Sequence, residues 1–436
     1  MTMPMHRRSF LGATASAFAA LAASGCSTMQ HRASTGYGPL VTDPAGLVDL
    51  PAGFTYRVIS QLGDTMSDGF TVPDAADGMG CFDLGGGKIA LVRNHELMPG
   101  KDGGGVMGPA FDTMARSLVP LPGGTTTIVL DARTLAVEKQ YRSLAGTIRN
   151  CAGGTTPWGS WLTCEEAPMR AGGAINRDHG WVFEVPARAP GLVDPVPLKA
   201  MGRFNHEAAC VDPRTGYVYQ TEDRDDGLLY RFIPKVPGKL AEGGKLQALA
   251  FTDGVGDTRN WGGVSVAPQS WRAVRWIDLT DVEAPEDDLR KRGAASGAAL
   301  FARGEGIHMG EGELYFCCTS GGTAKLGQVF RLDTAGEDRG GGKLQLFFES
   351  TSPDQFNFGD NLTIAPWGDL VVCEDQYTDV VTNHLRGITP EGVAYPLALL
   401  HQQTEWAGAC FAPDGRTLFV NAYHPAKTLA ITGPWI

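Results

Sequence analysis

Cys151 stands in the run Gly146-Thr147-Ile148-Arg149-Asn150-Cys151-Ala152-Gly153-Gly154, and the adjacent acids Glu165 and Glu166 close the strand-like stretch that follows it. A thiolate with carboxylates near it can hold a highly charged metal ion, and glycines at 153 and 154 let backbone pack close to a bound group. Further on, His206-Glu207-Ala208-Ala209-Cys210 carries an acid into an apolar segment, where an unpaired charge is costly. Arg303 precedes Glu305 by two residues, and Asp360-Asn361 opens another apolar run. Each has a plainer reading. Glu207 and Glu305 could be carboxylates beside turns, Arg303 a surface cation, and Asp360 a turn cap, as Asp-Asn often is. His95 and His424 read as hydrogen-bonded structural histidines, and Cys81 as packing.

Elements that could gather these side chains recur along the chain. The unit is a turn with Gly and Asp or Pro, then a short β-rich strand, then acidic or amide residues. It appears as Gly85-Gly86-Gly87-Lys88-Ile89-Ala90-Leu91-Val92-Arg93-Asn94-His95-Glu96, and again in Asp212 to Asp223, Gly310 to Gly322, Pro366 to Asp375 and Pro413 to Asn421. Repeats at intervals of about 50 residues indicate a β-propeller, whose innermost strands line a central channel. Polar residues at equivalent strand ends would then converge from segments far apart in sequence. A β-sandwich is the competing all-β reading and explains those polar ends less well. The stretches 97–125 and 233–300 are irregular and hide the blade count from periodicity. With 58 glycines and 27 prolines the composition favours short strands and tight turns.

The N-terminus bears on compartment. Arg7-Arg8-Ser9-Phe10-Leu11-Gly12 and the apolar run from Ala13 to Ala23 read as a twin-arginine export signal, too short for the ~20 residues of a membrane span. Ala23-Ser24-Gly25-Cys26 is a weak lipoprotein box, with Cys26 as candidate lipid anchor. The expected organisation is a signal at 1–26, a flexible linker at 27–45 and one catalytic propeller domain from 46 to 436, periplasmic or secreted and monomeric. The formal net charge of -11, without any basic block, argues against nucleic-acid binding. Most of the nine cysteines lie in apolar runs and read as small buried hydrophobes rather than a disulfide framework.

The cysteine segment resembles the core signature of the PhoX-type alkaline phosphatases. Further pieces match in order: Asp77-Gly78-Met79 with Cys81-Phe82, Asn94-His95-Glu96, Gly202-Arg203-Phe204-Asn205-His206-Glu207, Arg303-Gly304-Glu305, Phe356 through Leu362, and Pro413 to Asn421 with His424-Pro425. The resemblance implies an all-β, six-bladed propeller with irregular loop insertions, and a cofactor of two ferric ions and several calcium ions that hydrolyses phosphomonoesters. Cys151 would bridge the ferric ions, Glu207 and Glu305 would be carboxylate ligands, Asp360 a calcium ligand, and Arg303 would face the phosphate. Glu165 or Glu166, with Asn150, His206 and Asn361, would complete the shell. Neighbours on a strand face opposite ways, so which of the two glutamates points inward stays open. The chain is shorter than typical members and carries Gly304 where they have proline. A calcium-dependent propeller lactonase, which would not need Cys151, and a non-catalytic calcium-binding propeller are the other function classes.

Overall fold

The computed structural model describes residues 36–339 and 341–435. The export signal and Cys26 lie outside the described residues.

Lys88–His95, Leu370–Glu374 and Thr417–Ala422 are short, rich in Val, Leu and Ile, and buried along nearly their whole length. A strand buried on both faces must be covered on both, and here the covering layers are further sheets packed side by side. Among the described residues the strands pair antiparallel and fall into five hydrogen-bonded sheets. The largest is two four-stranded units, His206–Val211 to Gly244–Phe251 and Gly304–Met309 to Gly342–Glu349, joined through Trp271–Asp278. There are thus six blades. Blade 1 runs from Ala76–Gly85 to Val137–Thr147, and blade 2 is Asn150–Thr155, Ser160–Glu165 and Val182–Pro186. Blades 3 and 4 are the two units of the large sheet. Blade 5 starts at Gly359–Ile364 and blade 6 at Trp406–Phe411. The first strand of each blade packs on the first strands of its two neighbours, and blade 6 meets blade 1, which closes the ring.

The core is divided among the wedges between blades. Phe82, Val92 and Leu144 meet Trp161 and Phe183 between blades 1 and 2, and Met79, Leu91 and Ile128 meet Phe419 and Ala430 between blades 1 and 6. Cys164, Cys210, Cys317, Cys318 and Cys373 are free thiols buried in such wedges, as the composition suggested. The final blade is completed by the first part of the chain: Thr55–Gln61 pairs with Lys427–Thr432.

One expected boundary shifts. Residues 40–41 are not linker but a strand paired with Leu50 and Pro51 at the edge of blade 5. Asp43 fixes the connection, its carboxylate accepting from the backbone N–H of Ala45, Leu47 and Val48 and from the Tyr56 hydroxyl at 2.6 Å.

Candidate metal centre

In all six blades the innermost strand carries a β-bulge near its start. The register slips between Ala76 and Met79, Asn150 and Gly153, His206 and Ala209, Gly304 and Ile307, Gly359 and Leu362, and Ala407 and Cys410. A bulge kinks the strand and re-aims one side chain out of the ladder. The first bulged residue is, in blade order, Asp77, Cys151, Glu207, Glu305, Asp360 and Gly408. Five of the six therefore bring a metal-ligating group to one end of the channel. The second bulged residue is small in every blade but the fifth, because the strands nearly touch: a Cβ on Gly78 would lie 2.5 Å from Ala152 Cα, and one on Gly306 2.7 Å from Asn361 Cα.

Side chains in the second strands, or one residue beyond them, pin the start of the innermost strand of the next blade. The Asn94 amide donates to the carbonyls of Cys151 and Ala152 at 2.8 and 2.7 Å, Asn421 to Asp77 at 2.6 Å, Thr221 to Glu305 at 2.5 Å and Thr319 to Gly359 at 2.9 Å. One residue beyond the end of a second strand, in five blades, stand Glu96, Glu166, Asp223, Asp375 and Tyr423. Each lines the same cavity, of about 500 Å³.

The donor atoms form an unbroken arc. Asp77, Glu96 and Cys151 make one group whose ligand atoms lie within 4.8 Å of one another; Cys151, Glu166 and Glu207 make the next; Glu207, Glu305 and Asp360 the third; Asp360, Asp375 and Glu405 the fourth. Adjacent groups share Cys151, Glu207 or Asp360. Burial, and then the charge of neighbouring acids, holds the carboxyls of Asp77, Glu207 and Glu305 well above the ordinary range. Asp360 is pushed up to about 8 by burial and by Asp375. The Cys151 thiol is raised by burial and then by Asp77, to which it donates at 3.5 Å. Neither oxygen of Glu207 has a hydrogen-bond partner, nor does Oδ1 of Asp77, although all three atoms are buried. Like-charged, desolvated acids of this kind suit hard cations, which would take the place of the protons.

Two cations answer the acids directly. Arg149 Nε lies 2.7 Å from Glu96 and Nη2 2.9 Å from Glu166; Arg303 Nε lies 2.7 Å from Asp223 and Nη2 2.7 Å from Glu305. The Tyr377 hydroxyl accepts a further bond from Arg303 at 3.1 Å.

Of the residues singled out in the sequence, Cys151, Glu166, Glu207, Glu305, Asp360 and Arg303 are brought together here. Four others are placed elsewhere. Glu165 faces away: its oxygens take Ile148, Gly180 and Trp181 backbone N–H groups and lie 2.6 Å from His179 Nδ1. Strand alternation thus resolves the pair in favour of Glu166. Asn150 is spent on Thr147 and Thr163, and the His206 ring stacks on Phe204 with Nε2 against the Gly202 carbonyl at 3.0 Å. Asn361 stands behind the arc, donating to Asp360 at 2.9 Å and accepting from the Gly408 N–H at 2.7 Å. His424 lies at the rim, against Asp74 at 2.6 Å. Asp77, Glu96, Asp223, Asp375, Glu405 and Arg149 were not assigned from sequence, though several lie inside the segments that carried the resemblance.

The sequence profile of the family described as alkaline phosphatase PhoX matches residues 35–134 and 122–426. Among solved structures, PhoX of Pseudomonas fluorescens in complex with vanadate, a transition state analogue, is similar at 20% identity and a TM-score of 0.69, over 91% of this chain and 97% of that one. A gluconolactonase from Xanthomonas campestris aligns at 14% identity and a TM-score of 0.43, over 93% of this chain and 100% of its own. No curated protein sequence matches the chain.

Proposed function

Since the chain belongs to the PhoX alkaline phosphatase family, and is with it a metal-dependent phosphomonoesterase, we propose that the arc at the channel mouth is where small phosphate esters are cleaved. Our reading is that the arc holds two ferric ions and calcium ions. Cys151, the one thiol of the arc and common to two of the groups, would hold iron together with Glu166 and Glu207, Glu305 would extend that set through Glu207, and Asp360, Asp375 and Glu405 would form an oxygen-only end suited to calcium. The observation that carries this is Glu207, a buried carboxylate at the centre of the arc with both oxygens unpartnered.

Such ions, when bound, supply Lewis acidity, neutralising phosphate oxygens and lowering the pKa of water. The chain does the rest. Arg303, locked by Asp223 and Glu305, presents a preorganised guanidinium to the charge that develops on the phosphoryl oxygens, and needs no reorganisation during the reaction. The bulges hold the acids on strand backbone rather than on loops, which fixes their separation. Serine is not required as nucleophile.

We also infer export through the twin-arginine pathway to the periplasm or beyond, anchorage through Cys26 and action as a monomer; the Arg7-Arg8 segment supports the first. The test is elemental analysis of protein exported by its native host, with p-nitrophenyl phosphate turnover at alkaline pH before and after chelation. Iron and calcium are expected together, turnover should vanish on chelation, and Arg303→Lys should lower kcat/KM by about 10²-fold or more. Full turnover by chelated, ion-free protein would sink the reading.

A further inference from the structure

Arg149 occupies in blade 2 the position that Arg303 occupies in blade 4. Each immediately precedes the first residue of the innermost strand, and each has a left-handed backbone, φ +48° and +53°. Ala75 and Phe358 open blades 1 and 5 with the same turn, at φ +52° and +56°, so the turn belongs to blade entry, and blades 2 and 4 are the two in which it carries an arginine. Here the turn throws both side chains over the channel mouth. Blades 2 and 4 flank blade 3, which supplies Glu207, the residue where the second and third donor groups meet. The two guanidiniums therefore stand on opposite sides of the middle of the arc.

Arg149 is held but not used up. Its Nε meets Glu96, while Nη1 and Nη2 meet Glu166 at 3.1 and 2.9 Å. Nη1 also reaches the Glu166 carbonyl at 3.5 Å, so four of the five N–H donors of the guanidinium are engaged and one remains. Its side chain is 39% exposed whereas Glu96 and Glu166 are 8% and 4% exposed, so the unused edge faces the cavity.

We propose that Arg149 is a second phosphate-binding residue, which grips the substrate opposite Arg303 and selects phosphomonoesters over diesters. A monoester phosphate offers three non-bridging oxygens and a second negative charge, enough for two arginines together with the ions beneath. A diester offers two oxygens and one charge, and leaves one guanidinium without an acceptor. The assignment rests on the phosphatase reading of the arc.

Ion-loaded wild type, Arg149→Gln and Arg149→Lys can be compared by calorimetric titration with inorganic phosphate, by elemental analysis, and by kcat/KM on p-nitrophenyl phosphate and bis-p-nitrophenyl phosphate. Expected is phosphate affinity at least tenfold weaker in Arg149→Gln and partly restored in Arg149→Lys, with the monoester-to-diester ratio at least tenfold lower and ion content unchanged. Unchanged phosphate affinity in Arg149→Gln overturns the proposal and leaves the phosphatase reading intact. Loss of ions from both variants also overturns it, and makes Arg149 a holder of Glu96 and Glu166. Wild type that binds ions but neither binds nor hydrolyses phosphate compounds overturns both.

Discussion

Glu207 and Glu165 are both fully buried acids on propeller strands, and their partners separate their roles. Glu165 accepts from three backbone N–H groups and meets a histidine; Glu207 accepts from no donor, its oxygens lie among further acids and a thiol, and the charge of Arg149 reaches it only through space. Glu207→Gln keeps the shape and removes the charge. It should reduce ion content and lower phosphatase activity by about 10²-fold. The ion-free variant should nevertheless be more stable than ion-free wild type by about 1 to 3 kcal/mol at pH 9, since a buried carboxylate without a donor is the costlier group there. Urea unfolding of both chelated proteins checks this, and a less stable ion-free variant would contradict it. The two glutamates also show what could be read beforehand. Cys151, Glu207, Glu305 and Asp360 were legible because they sit in compact, distinctive segments. Asp77 sits in such a segment too, yet its place on the arc is set by a bulge, and a bulge leaves no mark in the apolar pattern. Superimposing the ends of the repeated strands would have pointed to Glu96, Asp223 and Asp375 together. Glu405 had no such signal, for it precedes its strand, and the bulge position of its blade is Gly408.

Between strands, the insertion 97–122 of blade 1 has almost no ladder of its own and is tied down by polar contacts. Asp112 accepts from the backbone N–H groups of Asn176 and Arg177 and lies 3.3 Å from His179 Nε2, whose Nδ1 reaches Glu165 at 2.6 Å. An irregular stretch held in this way shows no hydrophobic period, which is why the sequence marked it only as an interruption, while the strand runs around it were plain. Burial opposes a charged His179, but the Glu165 and Asp112 carboxylates outweigh it and raise its pKa above the usual 6.5. A histidine whose folded pKa is raised contributes stability that is complete below its unfolded value and lost as pH rises through the folded value. His179→Gln should therefore destabilise by about 2 kcal/mol at pH 6 and by clearly less at pH 9. Denaturant midpoints at the two values decide it; a difference that grows with pH would show that the neutral ring is the form the fold prefers.

At the scale of the molecule, the apolar wedges hold the blades together and the closing strand holds the ring. A chain that begins after Gln61 would leave Lys427–Thr432 with an open edge and the wedge between blades 5 and 6 without Phe54, Tyr56 and Val58. Its melting temperature should fall by about 10 °C or more, or the chain should aggregate, as followed by circular dichroism. A propeller was legible from recurring strands with polar ends; the third strand missing a fourth partner in blade 2 and the joining strand Trp271–Asp278 were not, because both depend on which neighbour a strand pairs with. Closure also has a meaning in time. The arc begins at Asp77 and ends at Glu405, and the strand at 55–61 finds its partner only when residues 427–432 exist. During synthesis the early acids must wait, unpaired or protonated, for groups made hundreds of residues later. The complete arc is thus a property of the finished chain alone, for translation and ring closure must both reach their end before all four donor groups stand together.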